Sequence, residues 1–250
     1  MTEGIRTESI LEIEGVSVSF DGFKALDDLS LSIERDEIRA VIGPNGAGKT
    51  TLLDIITGRT PPTSGRVRFK EIELTGLREY QIVRKGIGRK FQTPSVHESL
   101  TVFENLEMSY PDARTWWSAW RFGRTREVIE TVENIAETIY LKDRLHDRAE
   151  ALGHGQKQWL EIGALLIQRP SLLLLDEPVA GMSVRDREKT AELLNALGKG
   201  RAVVVVEHDM EFVKQIAHQV SVLHQGRLLA EGPMESIQKD PRVIEVYLGH

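Results

Sequence analysis

The chain has 250 residues, 40% hydrophobic and 28% charged, which suits one compact α/β domain with a modest insertion. A net charge of -6 argues against a general nucleic-acid binder, and the lack of cysteine excludes disulfides, thiolate metal sites and cysteine nucleophiles. Met1–Ser9 is polar, and the longest apolar runs, such as Leu172–Leu175 and Ala202–Val206, fall far short of the ~20 residues of a membrane-spanning helix. Any service to a membrane is therefore expected from outside the bilayer.

The first third reads as strands. Ile10–Phe20 alternates loosely and Leu29–Ile33 more strictly, while Arg39–Ile42 is a short apolar strand running into a glycine-rich turn. Thr50–Thr57 has helical character with Gly58 as its stop, and Pro61, Pro62, Ser64 and Gly65 mark a turn before a strand at Arg66–Lys70. The middle, Thr93–Arg169, reads as helical, with apolar spacings of three and four in Val102–Met108 and Glu127–Ile139. The last third alternates strand and helix: Leu172–Leu175, Arg185–Leu197, Ala202–Val206, Glu211–Ala217. Such alternation implies a parallel sheet with crossover helices. Short strands at Gln219–Leu223 and Leu228–Ala230 follow, then a helix after Pro241.

Between the predicted strand at 39–42 and the predicted helix, Gly43-Pro44-Asn45-Gly46-Ala47-Gly48-Lys49-Thr50 fits the phosphate-loop pattern G-x-x-x-x-G-K-[ST]. The chemistry requires these residue types. Gly46 and Gly48 let successive N–H groups converge on phosphate oxygens, and the helix start adds its positive end. Lys49 is expected on the β- and γ-phosphates and Thr50 on Mg²⁺, with Thr51 completing the ATP-binding segment. Leu172–Leu175 then ends in Asp176-Glu177. Alone this is a weak signal, often just a strand end. After a phosphate loop it places Asp176 to hold a Mg²⁺-bound water and Glu177 to polarise the water attacking the γ-phosphate.

Between these motifs, Leu152-Gly153-His154-Gly155-Gln156 leads into a predicted helix, Lys157–Gln168, and resembles the LSGGQ signature of ABC ATPases. Gln92 after Phe91, Gly181-Met182-Ser183 after Glu177-Pro178, and His208 after Ala202–Val206 match that family's Q-loop, D-loop and switch histidine. Phe20 matches the aromatic residue that stacks on adenine, with Phe23 as the alternative. The resemblance spans essentially the whole chain, in family order. It implies a P-loop NTPase (RecA-like) core with a parallel sheet, an N-terminal antiparallel β subdomain and an inserted helical subdomain. Residues 1–92 and 170–250 would form the core of this single cassette and 93–169 the helical part. It also implies Mg²⁺ near Thr50, Gln92 and Asp176, hydrolysis by Glu177 and His208, and a signature, Gly153–Gln156, that faces the nucleotide of a second cassette.

The chain departs from the pattern at Gly153, where the family has serine, at His154, where it has glycine, and at Ser183, where aspartate is common. Loss of the serine hydroxyl removes a hydrogen bond worth roughly 1.5–3 kcal/mol to a charged partner, so reduced rather than abolished hydrolysis is expected. Within the family, His154–Gly163, Glu177–Met182 and Glu207–Val213 resemble ATPases of branched-chain amino-acid and urea importers. Gly15–Leu26 and Asp240–Gly249 are most similar to a urea-importer ATPase, with branched-chain amino acids as the alternative solute and a soluble non-transport ABC ATPase as a further one. The resemblance implies a peripheral protein on the cytoplasmic face of a bacterial inner membrane. It would work with a second cassette, two permease subunits and, indirectly, a solute-binding protein, and without nucleic acid. Arg114–Arg126 holds three of the four tryptophans and four arginines; internal packing of the rings is weighed against contact with headgroups or membrane subunits.

Overall fold

The structure is a computed structural model that describes residues 9–90, 96–111 and 125–248. Strands β1 (Ser9–Phe20) and β2 (Phe23–Glu34) form a hairpin around Asp21-Gly22. Both turn residues have positive φ, 48° and 89°, which matches the twist of a two-residue hairpin loop. With β4 (Ser64–Phe69) and β5 (Ile72–Glu73) they make an antiparallel sheet of order β2-β1-β4-β5.

The second sheet contains β3 (Ile38–Ile42), β6 (Ile87–Lys90), β7 (Leu172–Asp176), β8 (Ala202–Val206), β9 (Gln219–His224) and β10 (Arg227–Gly232). Its order is β10-β9-β3-β8-β7-β6. Every residue of β3, β7 and β8 is buried, which accounts for their nearly unbroken apolar runs. The expected parallel sheet holds for five strands and fails at one edge, where β10 pairs antiparallel with β9. The cause is local: Gln225 and Gly226, at φ 49° and 77°, turn the chain straight back.

The helices are α1 (Lys49–Ile56), α2 (Glu79–Arg84), α3 (Val102–Glu107), α4 (Arg126–Thr138) and α5 (His154–Leu166). They continue with α6 (Val184–Leu197), α7 (Met210–Ile216), α8 (Met234–Ile237) and α9 (Pro241–Leu248). Side-chain caps fix several starts: Thr101 accepts from Glu104 N, Thr125 from Val128 N, Ser183 from Asp186 N, and Asp209 from Glu211 and Phe212 N. Helix α5 begins at His154, three residues before the expected start.

Alternation along the strands divides the core. Leu173, Leu175, Val203 and Val205 pack with α3–α6, whereas Leu172, Leu174, Val204 and Val206 pack with α1 and the antiparallel sheet. Where α5 meets α3 and α4, a Cβ on Gly163 would come within 2.5 Å of Ile139 Cδ1 and 3.0 Å of Leu106 Cδ2. A side chain there would force Ile139 to shift. Strand β6 escaped the sequence reading because Ile-Gly-Arg-Lys looks polar. Both cations are nevertheless buried: Arg89 lies 2.6 Å from Asp54 on α1, and Lys90 lies 3.3 Å from Glu161 on α5. The Trp/Arg stretch at 114–126 falls outside the described residues except for Thr125 and Arg126. The fourth tryptophan, Trp159, is buried and donates to Thr190 Oγ1 at 2.9 Å.

Candidate functional site

Strands β3, β7 and β8 end side by side, and the loops leaving them converge. This is where open α/β sheets place ligands. A cleft of about 380 Å³ is lined by Asn45–Thr51, Asp176, Glu177, Val206, Ala25 and the rings of Phe20 and Phe23. Gly43 and Pro44 form the approach to this loop. Gly43 has φ 150°, and a Cβ there would lie 2.2 Å from Leu223 O, so the first loop position cannot carry a side chain. Gly46 and Gly48 take φ 79° and 101° and turn the backbone into the first turn of α1.

Lys49 Nζ donates to Gly43 O at 2.7 Å and Pro44 O at 3.0 Å. Burial lowers its pKa, and the nearby Glu177 and Asp176 carboxylates oppose that shift. Asp176 is 2% exposed, and its Oδ1 has no hydrogen-bond partner. Burial raises its pKa, and Arg89, 3.9 Å from Oδ2, pulls the other way. A buried carboxylate oxygen without a partner, sharing a cleft with the Thr50 hydroxyl, fits the hard oxygen donors that magnesium takes.

Glu177 sits at φ 47° with its N–H on Val206 O at 2.9 Å. Its Oε1 lies 3.6 Å from Nδ1 of the exposed His208, so the two expected catalytic residues do meet. Glu207, which the motif reading left without a role, is 1% exposed and accepts from Val179 N at 3.2 Å and His208 N at 3.1 Å. It thus holds the segment after Glu177 and the histidine in one frame. Burial raises its pKa, against the pull of those backbone N–H groups. An acid directly before the histidine, at the end of an all-apolar strand, was the available signal.

Phe20 and Phe23 face each other across the hairpin, 49% and 64% exposed, and both line the cleft. Gly153, His154, Gly155 and Gln156 do not line it. Gly153 is the N-cap of α5 without a side-chain cap, and its N–H donates to Gln156 Oε1 at 3.0 Å. Gln92 lies outside the described residues. Tyr247 on α9 is a contact the sequence did not announce. Its hydroxyl lies near the Gly43 backbone N–H, and burial pushes its pKa up to about 12. Val243, one turn earlier, packs with Ala40 and Ile42 of β3.

Residues 26–180 match the ABC transporter family, and residues 227–250 match the branched-chain amino acid ATP-binding cassette transporter family. This chain belongs to the ABC transporter family. It is an ATP-binding cassette and an ATPase. Over 249 residues it is 35% identical to the high-affinity branched-chain amino acid transport ATP-binding protein BraF of Pseudomonas aeruginosa, covering 96% of this chain and 98% of that protein. It is 32% identical to the corresponding protein LivG of Escherichia coli, covering 97% and 99%. Among solved structures, the ADP conformation of MJ1267, an ATP-binding cassette of an ABC transporter, matches with a TM-score of 0.86 at 30% identity, covering 97% of this cassette and 99% of that chain. The dimeric post-hydrolysis state of the cassette MJ0796, bound to ADP and Pi, matches with a TM-score of 0.75 at 25% identity, over 90% and 98%. Among the described residues of this cassette, no helix is long and apolar enough to cross a membrane.

Proposed function

We propose that this cassette energises a branched-chain amino-acid importer as one half of an ATP-sandwich dimer. The observation that carries the solute class is the full-length similarity to BraF and LivG, joined to the family match over residues 227–250. These relatives favour the alternative solute over urea, the solute expected from sequence. The assembly is a second cassette, the same or related, beneath two permease subunits fed by a solute-binding protein. The cassette sits peripherally at the cytoplasmic face of a bacterial inner membrane.

ATP lies in the cleft with its adenine against Phe20 or Phe23 and its phosphates on the N–H groups of 46–51. Lys49 exchanges its two loop carbonyls for the β- and γ-phosphates. Thr50 and Asp176, with Gln92 as the family resemblance implies, would hold a magnesium ion, which would neutralise phosphate charge. Glu177 takes a proton from the attacking water, and His208, beside it, contacts the γ-phosphate. The start of α5, Gly153–Gln156, closes over the γ-phosphate held by the partner cassette. Closure moves the helices, and hydrolysis reopens the dimer.

Uptake of labelled leucine and labelled urea in cells lacking this chain, complemented with wild type or Lys49→Ala, tests the solute. Leucine uptake rescued by wild type alone is expected. Rescue of urea uptake instead would overturn the solute class and leave the ATPase intact. For the dimer, Glu177→Gln should accumulate as an ATP-bound dimer in size-exclusion chromatography with light scattering. A variant that binds ATP and stays monomeric would refute the sandwich.

A further inference from the structure

One side chain ties the start of α5 to the segment that follows Glu177. His154 Nε2 stands 3.0 Å from Ala180 O; a carbonyl only accepts, so Nε2 is the protonated ring nitrogen. Gly181, at φ 71°, lies against the same ring, where a Cβ would approach Nε2 to 3.3 Å. The Ala180 N–H in turn donates to Glu177 O at 3.3 Å. Two hydrogen bonds through one residue therefore join the start of α5 to the backbone of the catalytic glutamate. Glu177 is itself held in a left-handed conformation, φ 47°, that a side-chain-bearing residue keeps only under constraint.

A second contact keeps the two helix starts together. The missing side chain of Gly155 lets α5 sit against Asp186 of α6, where a Cβ would meet Asp186 Cγ at 3.0 Å. Asp186 Oδ2 accepts from Ser183 Oγ at 2.8 Å, which fixes the end of the same loop. The loop 180–183 is thus anchored to α5 at one end by His154 and braced at the other by Asp186. A glycine at 154, as the family pattern has, would leave the Ala180 carbonyl without this donor.

We propose that His154 is a positioning residue that couples the two ATP sites of the dimer. The start of α5 reads the γ-phosphate held by the partner cassette. Through Ala180, the His154 imidazole passes that engagement to this chain's own Glu177. This rests on the dimeric reading above. It assigns the departure from glycine at 154 a role in cooperativity, distinct from phosphate contact.

The test is hydrolysis against ATP concentration for the full chain as wild type, His154→Ala and His154→Gln. Dimerisation of Glu177→Gln with and without each change is measured in parallel. Glutamine keeps an N–H donor at about the reach of Nε2. The expected result is a Hill coefficient falling from about 2 toward 1 and a kcat about fivefold lower in His154→Ala, the scale of one hydrogen bond, with both restored by His154→Gln. ATP-driven dimerisation should persist in all three backgrounds. A wild-type Hill coefficient and kcat in His154→Ala would overturn the coupling while leaving the dimer intact. Equal losses in the alanine and glutamine variants would reduce His154 to a packing role and overturn it as well. Failure of Glu177→Gln to dimerise with His154 intact would instead remove the dimeric reading, and the coupling with it.

Discussion

Replacing Asp176 by asparagine should move stability and activity in opposite directions. The carboxyl is 2% exposed, with one oxygen unpartnered and Arg89 3.9 Å from the other. At an effective dielectric of about 20, that separation corresponds to about 4 kcal/mol of attraction. Burial nevertheless dominates, because the Asp176 pKa is raised rather than lowered. Ionised Asp176 therefore costs the nucleotide-free fold stability, and Asp176→Asn removes the charge while Arg89 keeps Asp54 at 2.6 Å. The variant should melt above wild type without nucleotide; about 1 kcal/mol would appear as roughly 2–4 °C in a chain of this size. The sign of the pH dependence follows from linkage. A carboxyl with a raised folded pKa binds more protons folded than unfolded between its ordinary value of 3.8 and the raised one. Wild type thus regains this stability as pH falls through the folded pKa, and the gap to the variant narrows. Hydrolysis should drop about 10²-fold or more, the usual scale for losing a preorganised charged group. Differential scanning fluorimetry at neutral and mildly acidic pH, with a phosphate-release assay, checks both. A variant that melts below wild type at neutral pH would refute the burial argument.

Two further expectations concern the phosphate-binding elements. A side chain at Gly153 meets only Gln156 Oε1, at 3.7 Å, so Gly153→Ser fits without strain and supplies an N-cap hydroxyl. It should raise ATPase activity by about tenfold, the value of the missing charged hydrogen bond; an unchanged rate in a phosphate-release assay counts against the expected deficit. Tyr247→Phe removes the hydroxyl that lies near the Gly43 N–H while leaving the ring, and should weaken ATP binding by about two- to tenfold. Isothermal titration of nucleotide measures this, and unchanged affinity would confine Tyr247 to packing.

The residues of the candidate site were legible in the sequence because each of its motifs is contiguous. A phosphate loop needs glycines, lysine and threonine at fixed spacing between a strand and a helix. Asp176-Glu177 and His208 announce themselves as polar residues at the ends of fully apolar strands. The same burial made β7 and β8 readable and hid β6, since Arg89 and Lys90 are buried in ion pairs with Asp54, 35 residues earlier, and Glu161, 71 residues later. The solute resisted sequence reading for a different reason: no residue of the nucleotide cleft has to touch it.

What only the tertiary structure decided are contacts between segments distant along the chain. These are the antiparallel edge at β10, the Glu207 bonds that frame Glu177 and His208, the Tyr247 hydroxyl at Gly43, and the His154 bond to Ala180. Local propensity and periodicity carry information over a few turns of chain. A hydrogen bond such as His154 to Ala180, 26 residues apart, exists only because packing brings the start of α5 against the loop before α6, around Gly155 and Gly181, where a Cβ would approach Asp186 and His154 to 3.0 and 3.3 Å.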